Sequence, residues 1–304
     1  MDKVHPYLVE QFTNKGFFCE IILDIAHNQF IALPDQYAGL VIRSKFEVDK
    51  EALASKSNLE FIIRIGSGVE HIDTQFAAQK GIRLITTPEG NAPAVAEHCL
   101  GMLLCALKKI ATADREVRDG KWLREKNKGT ELSSQVVGII GFGHTGKAFA
   151  KLLHPFGCKI LVYDKYKSGF DESYIEEVSL VELLQSSTVI SLHINYLHVN
   201  HHFININLLQ KMENNPIFIN SSRGSTVNTT DLVLALDEDF ISFACLDVLE
   251  YENVNLQIPP MPDWNDTLLR LTSNKKILLT PHTAGQTYEA ELRHAEVALE
   301  HWGK

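Results

Sequence analysis

The stretch Val136-Val137-Gly138-Ile139-Ile140-Gly141-Phe142-Gly143-His144-Thr145-Gly146 constrains this chain more than any other. The small and branched apolar residues from Val136 to Ile140 read as a buried strand, and residues 147–153 follow with helical apolar spacing. Strand, G-x-G-x-x-G and helix in that order are the context in which this glycine pattern binds a dinucleotide. Gly141 permits the tight turn, Gly143 lets backbone approach a pyrophosphate, and Gly146 lets the helix pack against the strand. The unpaired amides of the helix start, around His144 and Thr145, then face the phosphates. The His144 side chain either contacts the pyrophosphate or faces solvent. Residues 160–163 read as a second strand ending in Asp164, which follows Gly146 by 18 residues. That is close to the ~20 residues after which a carboxylate takes the ribose hydroxyls. A carboxylate there repels a 2′-phosphate, so the sequence predicts NAD rather than NADP.

The rest of the chain has room for a second domain, since 304 residues exceed the ~100–200 of one. Residues 8–94 alternate strand-like runs (19–23, 39–44, 61–65 and 81–86) with helical ones (7–14, 50–57 and 74–80), which predicts a small β/α domain with a parallel sheet. A long helix is expected over 95–118, followed by an irregular arm to Leu132. Beyond Asp164 the alternation resumes. Strands are expected at 188–193, 216–220, 243–248 and 276–280, and helices at 206–212, at 229–236 (capped by Thr229 or Thr230 with Asp231) and at 286–302. Residues 253–274, with Pro259, Pro260 and Pro262, read as a long loop able to cover a site. The fold class expected is α/β, with two Rossmann- or flavodoxin-like parallel-sheet domains. A dinucleotide domain, 96–282, is inserted in a discontinuous domain of 1–95 with 283–304.

Composition excludes several functions. A net charge of −9 without a basic cluster argues against nucleic acid. No apolar run approaches the ~20 residues of a membrane helix, and residues 1–6 have no signal-peptide pattern, so a cytoplasmic protein is expected. The five cysteines are scattered without a CxxC and read as reduced core residues. His198, His201 and His202 form a small cluster without acidic or cysteine neighbours in sequence, so a solvated loop is expected there and no metal.

Three polar residues are expected at the carboxyl edge of the second sheet: Arg223 after one strand, Glu252 beyond another, and His282 after the last. Oxidising a 2-hydroxy acid needs a base for the hydroxyl proton, and histidine has the right intrinsic pKa. A carboxylate beside it orients the ring, and a guanidinium holds the substrate carboxylate and polarises the carbonyl oxygen. Spacing alone does not pair Glu252 with His282. In the first domain, Gly66-Ser67-Gly68 ends a strand and is either an anion nest or a plain turn. Arg43 and Arg64 are either anion ligands or members of a structural ion pair.

Arg223-Gly224, Asp247-Val248-Leu249-Glu250-Tyr251-Glu252 and Thr280-Pro281-His282-Thr283-Ala284-Gly285, with the glycine turn, resemble in identity and order the motifs of the D-isomer-specific 2-hydroxyacid dehydrogenases. The resemblance covers nearly the whole chain. It implies that Arg223, Glu252 and His282 are catalytic, that Asp247 lies near the nicotinamide amide, and that the Ser67 and Gly68 amides hold the substrate carboxylate. It also implies a homodimer built through the long helix and arm. The segments around Arg43, Arg64 to Val69, Asn91, Glu97 and Trp122 are most similar to the phosphoglycerate dehydrogenase branch. They imply 3-phosphoglycerate as substrate, with Arg43, Arg64 and Asn91 in the substrate pocket. Hydroxypyruvate and glyoxylate reductases share such motifs, and an NAD-sensing interaction protein of the same fold is a further alternative. The family opens with an apolar strand that here is missing or lies upstream of Met1. Asn253 stands where relatives often have Pro, and Ile194-Asn195-Tyr196 where they tend to have Pro-Leu-Thr. No regulatory domain is expected after Lys304.

Overall fold

The computed structural model describes residues 4–304 except Asp24, Lys45 and Val254. The chain forms two compact units. One comprises the chain as far as Ala92 with Glu252–Gln257 and Gln286–Lys304; the other comprises Pro93–Tyr251 and Ile258–Gly285. These borders fall a few residues from the expected ones, and Glu252–Gln257 groups with the first unit rather than the second.

Among the described residues the first unit holds a parallel sheet of three strands, β1 (Gly39–Ile42), β2 (Phe61–Arg64) and β3 (Arg83–Thr86), in that spatial order. Side chains alternate between its faces, as the two-residue period of a strand requires. Leu40, Ile42 and Ile62 join Phe30, Phe46 and Leu53 on one face. Phe61 and Ile63 join Leu8, Phe12, Ala295 and Ala298, from helices Pro6–Asn14 and Tyr288–Trp302, on the other. Two lysines terminate helices by taking orphan carbonyls: Lys56 donates to Ile31 and Leu33, and Lys80 to Leu53 and Lys56. The strand expected at 19–23 does not form. Residues 19–23 belong to no strand among the described residues, and Ile21 is 66% exposed. An apolar run becomes a strand only where a neighbour takes its backbone groups.

The second unit holds seven parallel strands: β4 (Val136–Ile140), β5 (Lys159–Tyr163), β6 (Glu176–Glu177), β7 (Val189–Leu192), β8 (Ile217–Asn220), β9 (Phe243–Leu246) and β10 (Ile277–Leu279). Their spatial order is β10-β9-β8-β7-β4-β5-β6. The chain winds one way from β4 through β6 and the other way from β7 onward, so β4 and β7 flank the point where direction reverses. Ile139 and Val162 face one core while Ile140 and Leu161 face the other.

Three further expectations are corrected. The long helix breaks into Ala92–Leu107 and Ile110–Arg118, with Lys109 left-handed at φ +55°. The arm folds back and the Thr130 amide takes the Leu107 carbonyl, while Glu116 holds Lys126 and Asn127. Part of the expected loop 253–274 is a helix, Asp266–Ser273, capped by Asn265, with Leu268 and Leu271 in the core. Helix Thr229–Asp237 is capped by Asn228, not by Thr229 or Thr230. Asn228 Oδ1 accepts the Asp231 amide, and the Asp231 carboxylate accepts the Ile206 amide instead. Among the described residues, no helix is long and apolar enough to cross a membrane.

Candidate active site

All seven strands of the second unit run the same way, so their carboxyl ends share one edge. At the β4/β7 reversal, Gly141 adopts φ +93°, and a Cβ there would collide with the His193 carbonyl. A Cβ on Gly146 would strike the Gly141 carbonyl, so only glycine lets helix His144–Leu153 begin this close to the turn. Gly143 faces open space. Among the described residues the amides of Gly143, Thr145 and Gly146 donate to no protein acceptor. The open glycine and the free amides at a ten-residue helix N-terminus fit a pyrophosphate. His144 is exposed on this helix start. Asp164 directly follows β5 and accepts the Phe142 amide at 2.8 Å and the Tyr166 amide at 2.9 Å, which fixes its carboxylate beside the glycine turn.

His193, just beyond β7, went unmarked in the sequence as a site residue. Its ring bonds to Ser191 Oγ at 2.8 Å and Thr145 Oγ1 at 3.3 Å, and tilts over Phe149. Burial pushes its pKa down to about 4, so the ring is neutral and acts as a brace between β7 and the glycine helix.

Strands β8, β9 and β10 are neighbours, and the loops after them carry Arg223, Asp247 and His282. Asp247 is the hub. Its fully buried carboxylate accepts the Thr280 hydroxyl at 2.6 Å and the Thr283 and Ala284 amides at 2.9 Å each. Its carbonyl accepts the His282 amide at 2.7 Å. His98 Nε2, from helix Ala92–Leu107, reaches Thr280 Oγ1 at 2.9 Å and lies 3.5 Å from Asp247. The half-buried His282 sits at φ +54°, a conformation that non-glycine residues keep only where surroundings enforce it. Here Asp247 enforces it.

Arg223 is held by its backbone. Its carbonyl accepts from Asn220 Nδ2 and Thr226 Oγ1, and its Nη1 donates to the Ser222 carbonyl. Gly224 is needed because a Cβ would overlap the Leu249 and Glu250 backbone. Cys99 Sγ lies 3.0 Å from Ser221 Oγ, but burial pushes its pKa up to about 12, so it is no nucleophile.

The expected solvated histidine loop keeps His198 and His201 exposed, but His202 has an acidic partner that the sequence did not indicate. His202 stacks on His201 and pairs with Glu250, 48 residues later in the chain. The other Glu250 oxygen accepts the Thr229 amide at 3.0 Å. Glu250 thereby clamps the beginning of the segment that leads to Glu252. Among the described residues, no group of three His, Cys, Asp or Glu side chains could hold a metal ion.

In the first unit Glu252 is half-buried, ahead of a turn closed by the Asn253 amide on the Gln257 carbonyl. Arg43 follows β1, Arg64 ends β2, and both lie near His294 of helix Tyr288–Trp302. Arg43 also stands 3.9 Å from Glu291. Among the described residues the Ser67 and Gly68 amides donate to no protein acceptor. Asn91 immediately precedes helix Ala92–Leu107.

Residues 100–284 match the family model "D-isomer specific 2-hydroxyacid dehydrogenase, NAD binding domain". The chain is 33% identical over 294 residues to D-3-phosphoglycerate dehydrogenase of Archaeoglobus fulgidus, covering 96% of this chain and 54% of that one. It therefore spans about half the length of that relative. It is 36% identical over 254 residues to hydroxypyruvate reductase of Thermotoga maritima, covering 84% of this chain and 80% of that one. Its fold is similar to the crystal structure of D-lactate dehydrogenase from Aquifex aeolicus complexed with NAD and lactic acid. That likeness has a TM-score of 0.81 and 26% identity over 96% of this chain and 90% of that one. With the glycine turn, the reversal point and the three loops in place, the chain belongs to the D-isomer specific 2-hydroxyacid dehydrogenase family.

Proposed function

We propose that the chain oxidises a D-2-hydroxy acid, or reduces the matching 2-keto acid, with NAD(H), and that 3-phosphoglycerate is its substrate. The observation that carries the reaction is the His282 loop, held at φ +54° by the Asp247 carboxylate beside the Arg223 loop. In this reading His282 takes the hydroxyl proton and returns it on reduction, and Glu252 orients the ring. Arg223 holds the carboxylate and polarises the carbonyl oxygen, a task for a fork of donors rather than a point charge. Residues Gly141, Gly143, His144, Thr145 and Gly146 receive the pyrophosphate, Asp164 the ribose, and Asp247 stands near the nicotinamide amide. NAD, when bound, accepts or supplies the hydride.

Ser67 and Gly68 receive the substrate carboxylate through their free amides, beside Asn91. Arg43 and Arg64 supply the positive charge that a phosphate needs. A second reading, hydroxypyruvate or glyoxylate reductase, is favoured by the relative with the higher identity, the hydroxypyruvate reductase. Arg43→Ala decides between them. It should raise KM for 3-phosphoglycerate at least tenfold, a loss of ~1.4 kcal/mol, and leave hydroxypyruvate kinetics nearly unchanged. Equal effects on both substrates would remove the phosphate role.

We further infer a cytoplasmic homodimer, with the first unit binding substrate and the second NAD. Helix Ile110–Arg118 buries no side chain, and Ile110, Val117, Trp122 and Leu123 are exposed on it and the arm. That apolar surface supports a subunit contact.

A further inference from the structure

His294 is a buried histidine with no place in the chemistry above. It is 3% exposed on helix Tyr288–Trp302. Its Nδ1 lies 2.7 Å from Thr87 Oγ1, and the same hydroxyl oxygen accepts the Gly66 amide at 2.8 Å. The Thr87 amide in turn donates to the Gly66 carbonyl at 2.9 Å. Both backbone groups of Gly66 are thus committed to Thr87. Gly66 has φ +131°, and a Cβ there would overlap the Arg64 guanidinium. The ring is confined on its other side as well. A Cβ on Gly90 would strike it, and Arg293 Nε holds the Gly90 carbonyl at 3.1 Å.

The chemistry of the ring matches this place. Burial first, then the charges of Arg43 and Arg64, press its pKa down to about 4, so it is neutral at pH 7. A neutral imidazole keeps an acceptor nitrogen. In the tautomer protonated on Nε2, the Thr87 hydroxyl donates its proton to Nδ1 and turns a lone pair toward the Gly66 amide. Gly66 is followed directly by Ser67 and Gly68, whose amides are free among the described residues. The Thr87 hydroxyl holds the peptide plane that enters Gly66, and the Thr87 amide holds the plane that leaves it, which carries the Ser67 amide; the Gly68 amide lies one plane further on.

We propose that His294 is a positioning residue for the substrate carboxylate: through Thr87 it fixes Gly66, so that the Ser67 and Gly68 amides converge on one anion. The inference rests on the dehydrogenase reading above. It differs from a plain packing role because the hydroxyl and the ring nitrogen, rather than the bulk they occupy, carry the effect.

The test is steady-state kinetics of the full chain with NAD and 3-phosphoglycerate or another D-2-hydroxy acid that it turns over. Thr87→Val keeps the shape and removes the hydroxyl. It should raise KM for the acid about tenfold, the fold-change of ~1.4 kcal/mol, with kcat and NADH affinity little changed. Thr87→Ser should restore KM. His294→Asn, whose Oδ1 stands close to the place of Nδ1, should recover most of what His294→Ala loses. An unchanged KM in Thr87→Val overturns the proposal. So does a loss that Thr87→Ser does not recover, or one that falls equally on kcat, because either marks a packing defect. Absence of turnover by the unmodified chain is a distinguishable result. It defeats the dehydrogenase reading itself and the proposal with it.

Discussion

Replacing Asp247 with Asn tests how the His282 loop is held. The carboxylate accepts three hydrogen bonds, at 2.6, 2.9 and 2.9 Å, with no exposure to solvent. An amide of the same shape keeps one acceptor oxygen, which can serve Thr280 and Thr283. Its NH2 group then faces the Ala284 amide, donor against donor. A charge-assisted bond contributes about 1.5–3 kcal/mol, and a buried donor left unpaired costs about 1–3 kcal/mol. We therefore expect a loss of about 3 kcal/mol, a large part of the ~5–15 kcal/mol that holds a domain folded. For a unit of this size each kcal/mol corresponds to roughly 2–4 °C, so Tm should fall by about 6–12 °C. Calorimetry at neutral pH measures it. Asp247→Ala should fall further, because all three donors lose their partner. A Tm for Asp247→Asn within about 2 °C of the parent, less than 1 kcal/mol on that scale, would refute the network as the restraint on this loop.

Other predictions concern separate parts of the molecule. Asp164→Ser should weaken NAD and relieve repulsion of the 2′-phosphate, moving the NAD/NADP affinity ratio at least tenfold, or ~1.4 kcal/mol; an unchanged ratio in a binding titration would disprove the ribose assignment. His193 has a folded pKa of about 4 against an ordinary 6.5, so the stability given by its neutral ring is complete above pH 6.5. Between pH 6.5 and 4 the unfolded chain binds the extra proton, and that stability declines, levelling off below. Unfolding midpoints of His193→Gln should lose that part of the slope, and identical slopes for the two proteins would count against a buried neutral ring. Trp122→Glu places a charge in the apolar arm, 76% exposed in the single chain. It should convert a dimer to a monomer by light scattering, whereas an unaltered mass would exclude the arm as the contact.

Much of the fold was legible in the chain because its strongest signals are local. The glycine turn, its flanking strand and helix, and Asp164 are fixed by spacing within thirty residues, and parallel alternation follows from the apolar runs. Several departures share one cause, which is that a partner distant in sequence decides the outcome, whereas the Asn228 and Asn265 caps are local. Residues 19–23 have strand composition but pair with no strand among the described residues. The helix expected over 95–118 breaks after Leu107, where Lys109 turns left-handed and the Thr130 amide takes the Leu107 carbonyl. Helix Asp266–Ser273 was hidden by the prolines before it, although Leu268 and Leu271 carry the spacing of a buried face. The same holds at the site. Arg223 and His282 stand out because each follows a strand. His98, His193, His202 and His294 each reach at least one partner far away in sequence: Thr280, Thr145, Glu250 and Thr87. The sequence points to Asp247 as a cofactor contact, and its three bonds to the Thr280–Ala284 loop are visible only in three dimensions.

The most direct measurement is NADH formation by the purified chain with D- and L-2-hydroxy acids, run beside His282→Ala. The account predicts turnover of the D-acid, 3-phosphoglycerate foremost. His282→Ala should lower it by about 10²–10⁴-fold, the usual contribution of a general base, while binding NADH as tightly as the parent. Turnover confined to L-acids, no turnover at all, or His282→Ala as active as the parent would contradict it.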